Sequence, residues 1–225
     1  MTWLAIDPGN NHVLYEYDYG ETLRKSLDGG HTWKVVLSGF RRFGIRTLLM
    51  PPRAPLALYA AFSPNGPRGG KPGVYKSMDG GKHWWRLGLP APGDLVLSAA
   101  DPQKRTIYFT EGNQVFASTD AGRYWRSIGQ GLPHDQPVSA LGAGGGTVIA
   151  SLGTAGVYIS TNQGQTWTRT WPASGTAPGL GVGLLTIDPA HPTTVLAAAT
   201  YAATRATGTH ILRSTDGGHT WEVAG

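Results

Sequence analysis

The sequence predicts an all-β fold that is built from one repeated unit of four short strands. An octapeptide of the form S-x-(D/N)-x-G-x-x-W occurs five times, at intervals of 41 to 54 residues. Short runs rich in β-branched and aromatic residues flank every copy, and Gly, Pro, Asn or Asp separate these runs. Units of about this length with four strands each are typical of propeller blades. Five units therefore predict a five-bladed β-propeller with four antiparallel strands in each blade.

The four strands of the unit can be followed from one octapeptide to the next. The first strand ends in a turn, as in WLAIDP and LLTIDP, and the second has the pattern seen in HVLYEY and TVLAAAT. The third strand, as in GVYKS and QVFAS, leads directly into the octapeptide, and the fourth begins at its tryptophan, as in WKVVLS. The octapeptide is therefore expected on the turn between strands three and four of every blade.

The repeat divides the whole chain into five units without a strand left over. The predicted blades are 1–40, 41–90, 91–133, 134–172 and 173–225, which together form one domain, 1–225. Because no terminal strand is available for exchange, packing of the first blade against the fifth would have to close a ring. A closed monomer, a dimer and an open arc remain alternatives.

The composition excludes several kinds of chemistry. The 225 residues contain no cysteine, which excludes disulfides, thiolate metal sites and a cysteine nucleophile. The net charge of +5 permits acidic partners without requiring them, and we expect no metal and no cofactor. No apolar run approaches the roughly 20 residues of a membrane-spanning helix, and the start MTWLAIDPGN lacks the features of a signal peptide. A soluble protein is expected, either cytosolic or exported with its leader removed, and the sequence does not decide between these compartments.

The octapeptide has the composition of a tight turn. Its glycines allow backbone angles that other residues avoid, and its aspartate can accept hydrogen bonds from backbone N–H groups of the turn. Asn162 can replace one oxygen of that carboxylate, and the tryptophan is expected to fill the space between neighbouring blades. The predicted structural residues are Ser26, Asp28, Gly30, Trp33, Ser77, Asp79, Gly81, Trp84, Ser118, Asp120, Gly122, Trp125, Ser160, Asn162, Gly164, Trp167, Ser214, Asp216, Gly218 and Trp221.

A metal-binding or catalytic role is not expected for these aspartates. The spacing D-x-G-x-T lacks the further acidic ligands that calcium requires, and copies in different blades lie too far apart to form one site. The histidines within the octapeptides, His31, His83 and His219, are expected to be exposed and not to be ligands. We therefore interpret the octapeptide as a repeated structural element.

The octapeptides resemble the Asp-box, also called the BNR repeat, S-x-D-x-G-x-T-W. The five copies with their flanking strands cover essentially the whole chain, and they depart from the pattern at His83, Tyr124 and Asn162. The resemblance implies a β-propeller but leaves the function open. Asp-box propellers include sialidases, xyloglucan-degrading glycosidases, sortilin-type receptors and photosystem II assembly-factor-like proteins. The phrase GVYKSMDGGKHW is most similar to the last of these groups.

The rim opposite the octapeptides, here called the loop rim, is predicted to carry the functional surface because the long loops concentrate there. Its longest insertions are 63–73 and 201–210. Arginine beside aromatic residues is typical of protein-contact surfaces, and guanidinium groups bind carboxylates through paired hydrogen bonds. The candidate binding residues are Arg41, Arg42, Arg46, Arg68, Lys71 and Arg205. The sequence thus favours a non-catalytic binding or assembly-factor-like propeller for a protein or acidic ligand, with scattered solvent charges as the alternative reading of these residues.

Two carbohydrate-related functions are the alternatives. A sialidase-like glycoside hydrolase would need two carboxyl groups across a cleft, for which the candidates are Asp18, Glu21 and Glu111. The segment GIRTLL is a poor match to the start that a sialidase requires. A lectin-like carbohydrate binder would need similar pockets in every blade, whereas the loops here differ in length and composition. Nucleic acid is not favoured as a partner, because no recognised nucleic-acid-binding motif is present.

Overall fold

The computed structural model describes most of the chain. The described residues are 2–7, 9–18, 22–38, 45–50, 56–62, 71–88, 106–144, 146–172, 180–188, 191–201 and 209–224. Within these ranges all regular elements are β-strands, and no helix has the length and apolar character needed to cross a membrane. The chain separates into two compact units, Met1–Leu97 and Ser98–Gly225.

The first unit contains two antiparallel sheets of four strands, and in both sheets the strands lie in the order of the chain. The first sheet consists of β1 (Thr2–Asp7), β2 (Asn10–Asp18), β3 (Thr22–Ser26) and β4 (Lys34–Ser38). The second sheet consists of β5 (Ile45–Leu49), β6 (Leu58–Phe62), β7 (Gly73–Ser77) and β8 (Trp85–Arg86). Sequential order is expected for short strands that are joined by tight turns.

The described residues of the second unit form three further antiparallel sheets. The third sheet has the strands β9 (Ile107–Glu111), β10 (Gln114–Ser118) and β11 (Arg126–Ser127). The fourth sheet consists of β12 (Ala140–Gly144), β13 (Thr147–Ser151), β14 (Val157–Ser160) and β15 (Thr168–Trp171). The fifth sheet consists of β16 (Leu180–Ile187), β17 (Val195–Tyr201), β18 (Thr209–Ser214) and β19 (Glu222–Val223).

The predicted all-β architecture of antiparallel sheets is confirmed, and four of the sheets have the predicted four strands. The run VLSAADP, which predicts the first strand of the third unit, lies outside the described residues. Each octapeptide connects the third strand of its sheet to the strand that follows, as expected from the sequence.

The cores of the two units lie between consecutive sheets. In the first unit Tyr15, Leu23 and Phe62 belong to a buried cluster that the first and second sheets share. In the second unit Ile149 of the fourth sheet and Leu212 of the fifth sheet belong to a second cluster. All five residues of β6 are buried, so this strand is covered on both faces of its sheet. A strand of this kind reads as a continuous apolar run rather than as an alternating pattern.

The octapeptide turn of one sheet packs against the sheet that precedes it. In three copies the second glycine of the turn lies against an aliphatic side chain of the preceding sheet. The contacting pairs are Gly81 with Leu23, Gly164 with Ile128 and Gly218 with Ile149. A Cβ atom at Gly164 would lie 2.5 Å from the Ile128 Cβ, and one at Gly218 would lie 2.8 Å from the Ile149 Cδ1. Only glycine fits these contacts without a shift of the neighbouring sheet.

Hydrogen bonds also join the fourth and fifth sheets. The hydroxyl groups of Ser139 and Ser151 donate to the carbonyl oxygen of Val182, at 2.6 Å and 2.7 Å. A β-bulge between Val182 and Leu184 interrupts the ladder of the fifth sheet at this point. The bulge leaves the Val182 carbonyl available to a neighbouring sheet, and the two serines satisfy it.

The contact at Gly164 predicts a specific loss of stability. Gly164 and Gly131 both have a positive φ, of 83° and 94°, but a Cβ at Gly131 would meet none of the described residues within 4 Å. Gly131→Ala should therefore cost only the backbone strain, about 1 kcal/mol. Gly164→Ala should cost a further 1–3 kcal/mol, roughly, because its Cβ would push on Ile128. Urea unfolding of the two variants measures the two losses of unfolding free energy. Equal losses would contradict the prediction, because they would show that Ile128 can move aside for the added Cβ.

Candidate functional site

A buried serine organises each octapeptide turn. Ser26 is the last residue of β3 and is 1% exposed. Its Oγ donates to Asp28 Oδ1 at 2.7 Å and accepts the N–H of Gly30 at 2.9 Å. Asp28 in turn accepts the Thr32 N–H at 2.9 Å and the Thr32 hydroxyl at 2.5 Å. Serine and aspartate thus close the turn with side-chain bonds that replace a regular backbone ladder.

The same bonds recur in the other four copies. The second glycine of each turn donates its N–H to the serine Oγ at 2.8 to 2.9 Å, and each serine donates to the Asp or Asn side chain at 2.7 to 2.9 Å. Ala121 and Gln163 occupy the first glycine position with φ of 62° and 59°. Non-glycine residues rarely adopt this conformation, so the surrounding bonds hold the backbone there.

The three departures from the Asp-box pattern have different consequences. His83 takes the place of the threonine, and its ring Nδ1 bonds Asp79 Oδ2 at 2.5 Å. Tyr124 contributes its N–H to Asp120 Oδ1 at 3.0 Å, while its ring is exposed. Asn162 accepts the Thr166 N–H at 2.9 Å, and its amide donates to the Thr166 hydroxyl at 2.8 Å. In this copy the hydrogen bond between the two side chains therefore runs in the opposite direction.

Two octapeptide histidines add a hydrogen bond that the sequence pattern does not predict. His31 Nδ1 lies 2.6 Å from the carbonyl oxygen of Asp28, and His219 Nδ1 lies 2.7 Å from that of Asp216. Because a carbonyl oxygen can only accept, Nδ1 must carry the proton in both rings. Both histidines are exposed, so these hydrogen bonds lie on the solvent side of the turn.

The tryptophans are half-buried and bond in two ways. The indole N–H of Trp33, like those of the second, third and fifth copies, donates to the carbonyl oxygen of the second glycine of its own turn. Trp167 instead donates to the Ile128 carbonyl oxygen of the third sheet at 2.7 Å. Trp221 also reaches the Thr170 hydroxyl of the fourth sheet at 3.2 Å. In the second unit these indoles therefore tie one sheet to the preceding one.

The hydrogen bonds of the turns favour ionised carboxylates. Burial opposes the ionisation of Asp79, but the bonds from the His83 N–H, the His83 ring and the Ser77 hydroxyl outweigh it and lower the pKa to about 2. Burial likewise opposes the ionisation of Asp216, and the hydroxyl and N–H of Thr220 outweigh it and lower that pKa to about 2. Bonds to the charged form of a carboxyl group stabilise that form.

The predicted binding residues lie mostly outside the described part of the chain. Arg41, Arg42, Arg68 and Arg205 belong to residues that are not described, and only the backbone of Arg46 is described, within β5. Lys71 is exposed, and its carbonyl oxygen accepts the Tyr75 hydroxyl at 2.6 Å. The clustering of these basic residues therefore stays a prediction.

The three catalytic candidates are described to different extents. Glu21 and the side chain of Asp18 lie outside the described residues. Glu111 is the last residue of β9, and burial raises the pKa of its carboxyl group. Asp18 ends β2 at the equivalent position of the repeat, but in the other compact unit.

The turn that carries Glu111 is held by the connection to the fourth sheet. The Asn113 amide donates to the His134 carbonyl oxygen at 2.5 Å, and the Val138 N–H donates to the Gly112 carbonyl oxygen at 2.8 Å. The sequence indicates a turn at Gly112 and Asn113, yet it carries no signal for these long-range partners. Among the described residues, no group of three or more His, Cys, Asp or Glu side chains is arranged to hold a metal ion.

One octapeptide matches a known repeat family. Residues 158–169 match the BNR/Asp-box repeat family. The chain carries a BNR/Asp-box repeat. The serine, the acidic or amide residue and the second glycine make the same bonds in all five octapeptides, so the other copies share the geometry of the matched one. No curated protein matches the sequence.

Several solved structures resemble the chain over nearly its whole length. The GH74 xyloglucanase from Xanthomonas campestris has a TM-score of 0.74 at 20% identity, covering 98% of this chain and 37% of that one. An ancestral GH74 enzyme has a TM-score of 0.75 at 16% identity, covering 99% and 30%. YCF48 bound to D1 peptide has a TM-score of 0.57 at 13% identity, covering 98% and 79%. The chain spans about a third of the length of the GH74 enzymes. The likeness confirms the predicted resemblance and a β-propeller-like all-β fold.

The carboxylates of the Asp-boxes predict how stability depends on pH. Their pKa values are lowered from 3.8 on folding, so the bonds stabilise the folded chain above about pH 4 and are lost as the pH falls towards 2. In the double variant Asp79→Asn, Asp216→Asn, the unfolding free energy should be lower than in the wild type at pH 6, and the gap should narrow towards pH 2.

The variant Asn162→Asp adds a carboxylate to an Asp-box turn, whereas the double variant removes two. An added carboxylate should make the unfolding free energy depend more steeply on pH between about 4 and 2, because it would receive the same kind of bonds. Chemical denaturation at several pH values measures both curves. If the difference in unfolding free energy between the double variant and the wild type stays constant with pH, the claim that these carboxylates are held ionised by the turns is wrong.

Proposed function

We propose that the chain is a non-catalytic binding or assembly-factor-like propeller whose loop rim holds a protein segment or an acidic ligand. In this proposal the five sheets are the blades of one β-propeller domain over 1–225, with the predicted blade bounds. The YCF48 structure supports a protein partner, because that protein was determined with a bound peptide and matches this chain over 98% of its length.

The main observation behind the proposal is that the Asp-box carboxylates accept hydrogen bonds within their own turns. In the described turns each of these groups accepts hydrogen bonds from its own serine and from the backbone N–H groups that follow it. A carboxylate held ionised by such bonds is unsuited to donate a proton near neutral pH. The repeated acidic residues are therefore structural, which leaves the loop rim as the surface for recognition.

The chemistry of the loop rim favours a carboxylate-bearing ligand. The sequence brings five arginines and Lys71 to the predicted loop rim, and Lys71 is exposed. Guanidinium groups hold carboxylates through two parallel hydrogen bonds, which adds geometric selectivity to the charge attraction. An acidic peptide segment or a free carboxyl terminus fits this chemistry.

Charge reversal at the loop rim tests the binding proposal. We expect the wild-type chain to bind a labelled peptide rich in Asp and Glu, measured by fluorescence anisotropy. The variant Arg41→Glu, Arg42→Glu, Arg68→Glu, Arg205→Glu should bind it at least about tenfold more weakly, because it replaces attraction with repulsion.

A matched control has the same change in net charge at exposed positions of the sheets and Asp-box turns. Its substitutions are Lys34→Glu, Lys82→Glu, Arg123→Glu and Arg126→Glu, and circular dichroism checks that both variants keep the β-sheet spectrum. The control should retain most of the affinity. Equal losses in the two variants, or equal binding of a peptide with Asn and Gln in place of the acids, would contradict recognition by the loop rim.

A glycoside hydrolase is the second candidate, favoured by two observations. The GH74 enzymes share the fold, with TM-scores of 0.74 and 0.75. Burial raises the pKa of Glu111, as a general acid requires. In this alternative Glu111 would act as the acid, and such a site needs a second carboxyl group across the cleft.

Hydrolysis assays separate the two candidates. Under the binding proposal, aryl glycosides, sialosides and xyloglucan oligosaccharides should all remain uncleaved by the wild-type chain. Turnover that disappears in Glu111→Gln but persists in Glu222→Gln, an exposed control, would instead establish the hydrolase. Released aryl groups are measured by absorbance, and released sugars by chromatography.

A further inference from the structure

The fifth sheet exposes a face that is buried in every other sheet. The residue three positions before the Asp-box serine is an aliphatic residue in all five copies. In the first four copies it is 0% exposed, whereas Ile211 in the fifth copy is 39% exposed. These completely buried counterparts are Leu23, Val74, Val115 and Val157. The fifth sheet therefore exposes an aliphatic position that the other four sheets bury.

Neighbouring residues extend this exposed face across three strands. Ala198 of β17 pairs with Leu184 of β16 on one side and with Ile211 of β18 on the other. Leu196 lies two residues before Ala198 and therefore points to the same side of the sheet. Leu184 and Leu196 are 65% and 41% exposed. We call Leu184, Leu196, Ala198 and Ile211 the leading face of the fifth sheet.

The first sheet exposes the face whose equivalent in the fifth sheet packs against the preceding sheet. Leu4 of β1 is 57% exposed, and Ile6 and Val35 are exposed to a similar extent. Leu4 pairs with Glu16, just as Leu185 pairs with Ala197 in the fifth sheet. Leu185 is buried, because it packs against Gly142 of the fourth sheet. We call Leu4, Ile6 and Val35, with the ion pair of Glu16 and Arg24, the trailing face of the first sheet.

The glycine of the first Asp-box lacks the contact that its equivalents make. Within the units, Gly81 and Gly218 receive Leu23 and Ile149 from the preceding sheet. Among the described residues, a Cβ at Gly30 would meet only side chains of its own sheet, Leu14 and Trp33. In the described part of the chain, no side chain of another sheet occupies this position beside Gly30.

The two exposed faces are complementary by the logic of the repeat. Ile211 is the equivalent of Leu23, and Leu196 is the equivalent of Ile149. Leu23 and Ile149 are the side chains that contact the second glycine of the following sheet. The leading face of the fifth sheet therefore matches the trailing face of the first sheet, in the same manner as each contacting pair of sheets within the units.

We propose that the leading face of the fifth sheet is a docking surface for the trailing face of the first sheet in a second copy of the chain. The two faces differ, so the contact is head-to-tail rather than between identical patches. Each face also has an ion pair beside its aliphatic residues, Glu16 with Arg24 on one and Arg213 with Glu222 on the other. Burial of the aliphatic residues drives the association, which is independent of the ligand proposed for the loop rim.

The mass of the chain in solution, from light scattering coupled to size exclusion, tests the proposal. The wild-type chain should have the mass of at least two copies. Ile211→Glu and Leu4→Glu should each reduce it to one copy, because each places a charge in one of the two faces. Both residues are exposed, so the substitutions leave the cores of the sheets unchanged.

Mixing the two variants identifies which faces meet. The Leu4→Glu chain keeps an intact leading face, and the Ile211→Glu chain keeps an intact trailing face. An equimolar mixture should therefore form a dimer with one copy of each variant, although neither variant associates alone. Contact between two leading faces would leave the Leu4→Glu chain associated by itself, and that outcome would overturn the head-to-tail proposal.

Met78→Glu is the matched control. Met78 is 53% exposed on the Asp-box turn of the second sheet and belongs to neither face. It should keep the wild-type mass. A wild-type chain with the mass of one copy over micromolar to near-millimolar concentrations would overturn the proposal, as would equal dissociation by Met78→Glu. Circular dichroism of every variant checks that the sheets are intact.

Discussion

The buried serine at the end of each third strand is the constraint on which the other contacts depend. A hydroxyl group without water must find hydrogen-bond partners within the protein, and each of these serines finds a glycine N–H and a carboxylate or amide oxygen. The bonds hold the chain in a bend that no regular ladder would form. In the second, fourth and fifth copies this bend also brings the second glycine against the preceding sheet.

This turn therefore acts both within a sheet and between sheets. Ser160 and Asn162 close the turn of the fourth sheet, and the same turn brings Gly164 against Ile128 of the third. Trp167 adds a hydrogen bond to the carbonyl oxygen of Ile128. A single local motif thus sets the spacing of adjacent sheets, which explains why its chemistry is repeated while the loops at the other end of each sheet differ in length.

The fold is compatible with both candidate functions, because function depends on a site and not on the architecture that carries it. GH74 enzymes and a peptide-bound YCF48 both resemble this chain. In our proposal the difference comes from side chains at the predicted loop rim. Ionised Asp-box carboxylates and the predicted excess of arginine favour recognition of an acidic segment, whereas the raised pKa of Glu111 is the feature that an acid catalyst would share.

The sequence by itself determined the strands that the structure describes, their antiparallel pairing and the turn chemistry, including the replacement of a carboxylate oxygen by Asn162. These features depend on alternation along a strand and on bonds between residues at most four positions apart. Only the tertiary structure decided that Ser139 and Ser151 bond Val182, that Trp167 reaches Ile128, and that Ile211 is exposed while its four equivalents are buried. The reason is that these properties depend on which sheet lies next to which, and residues with the same local pattern differ only in that neighbour.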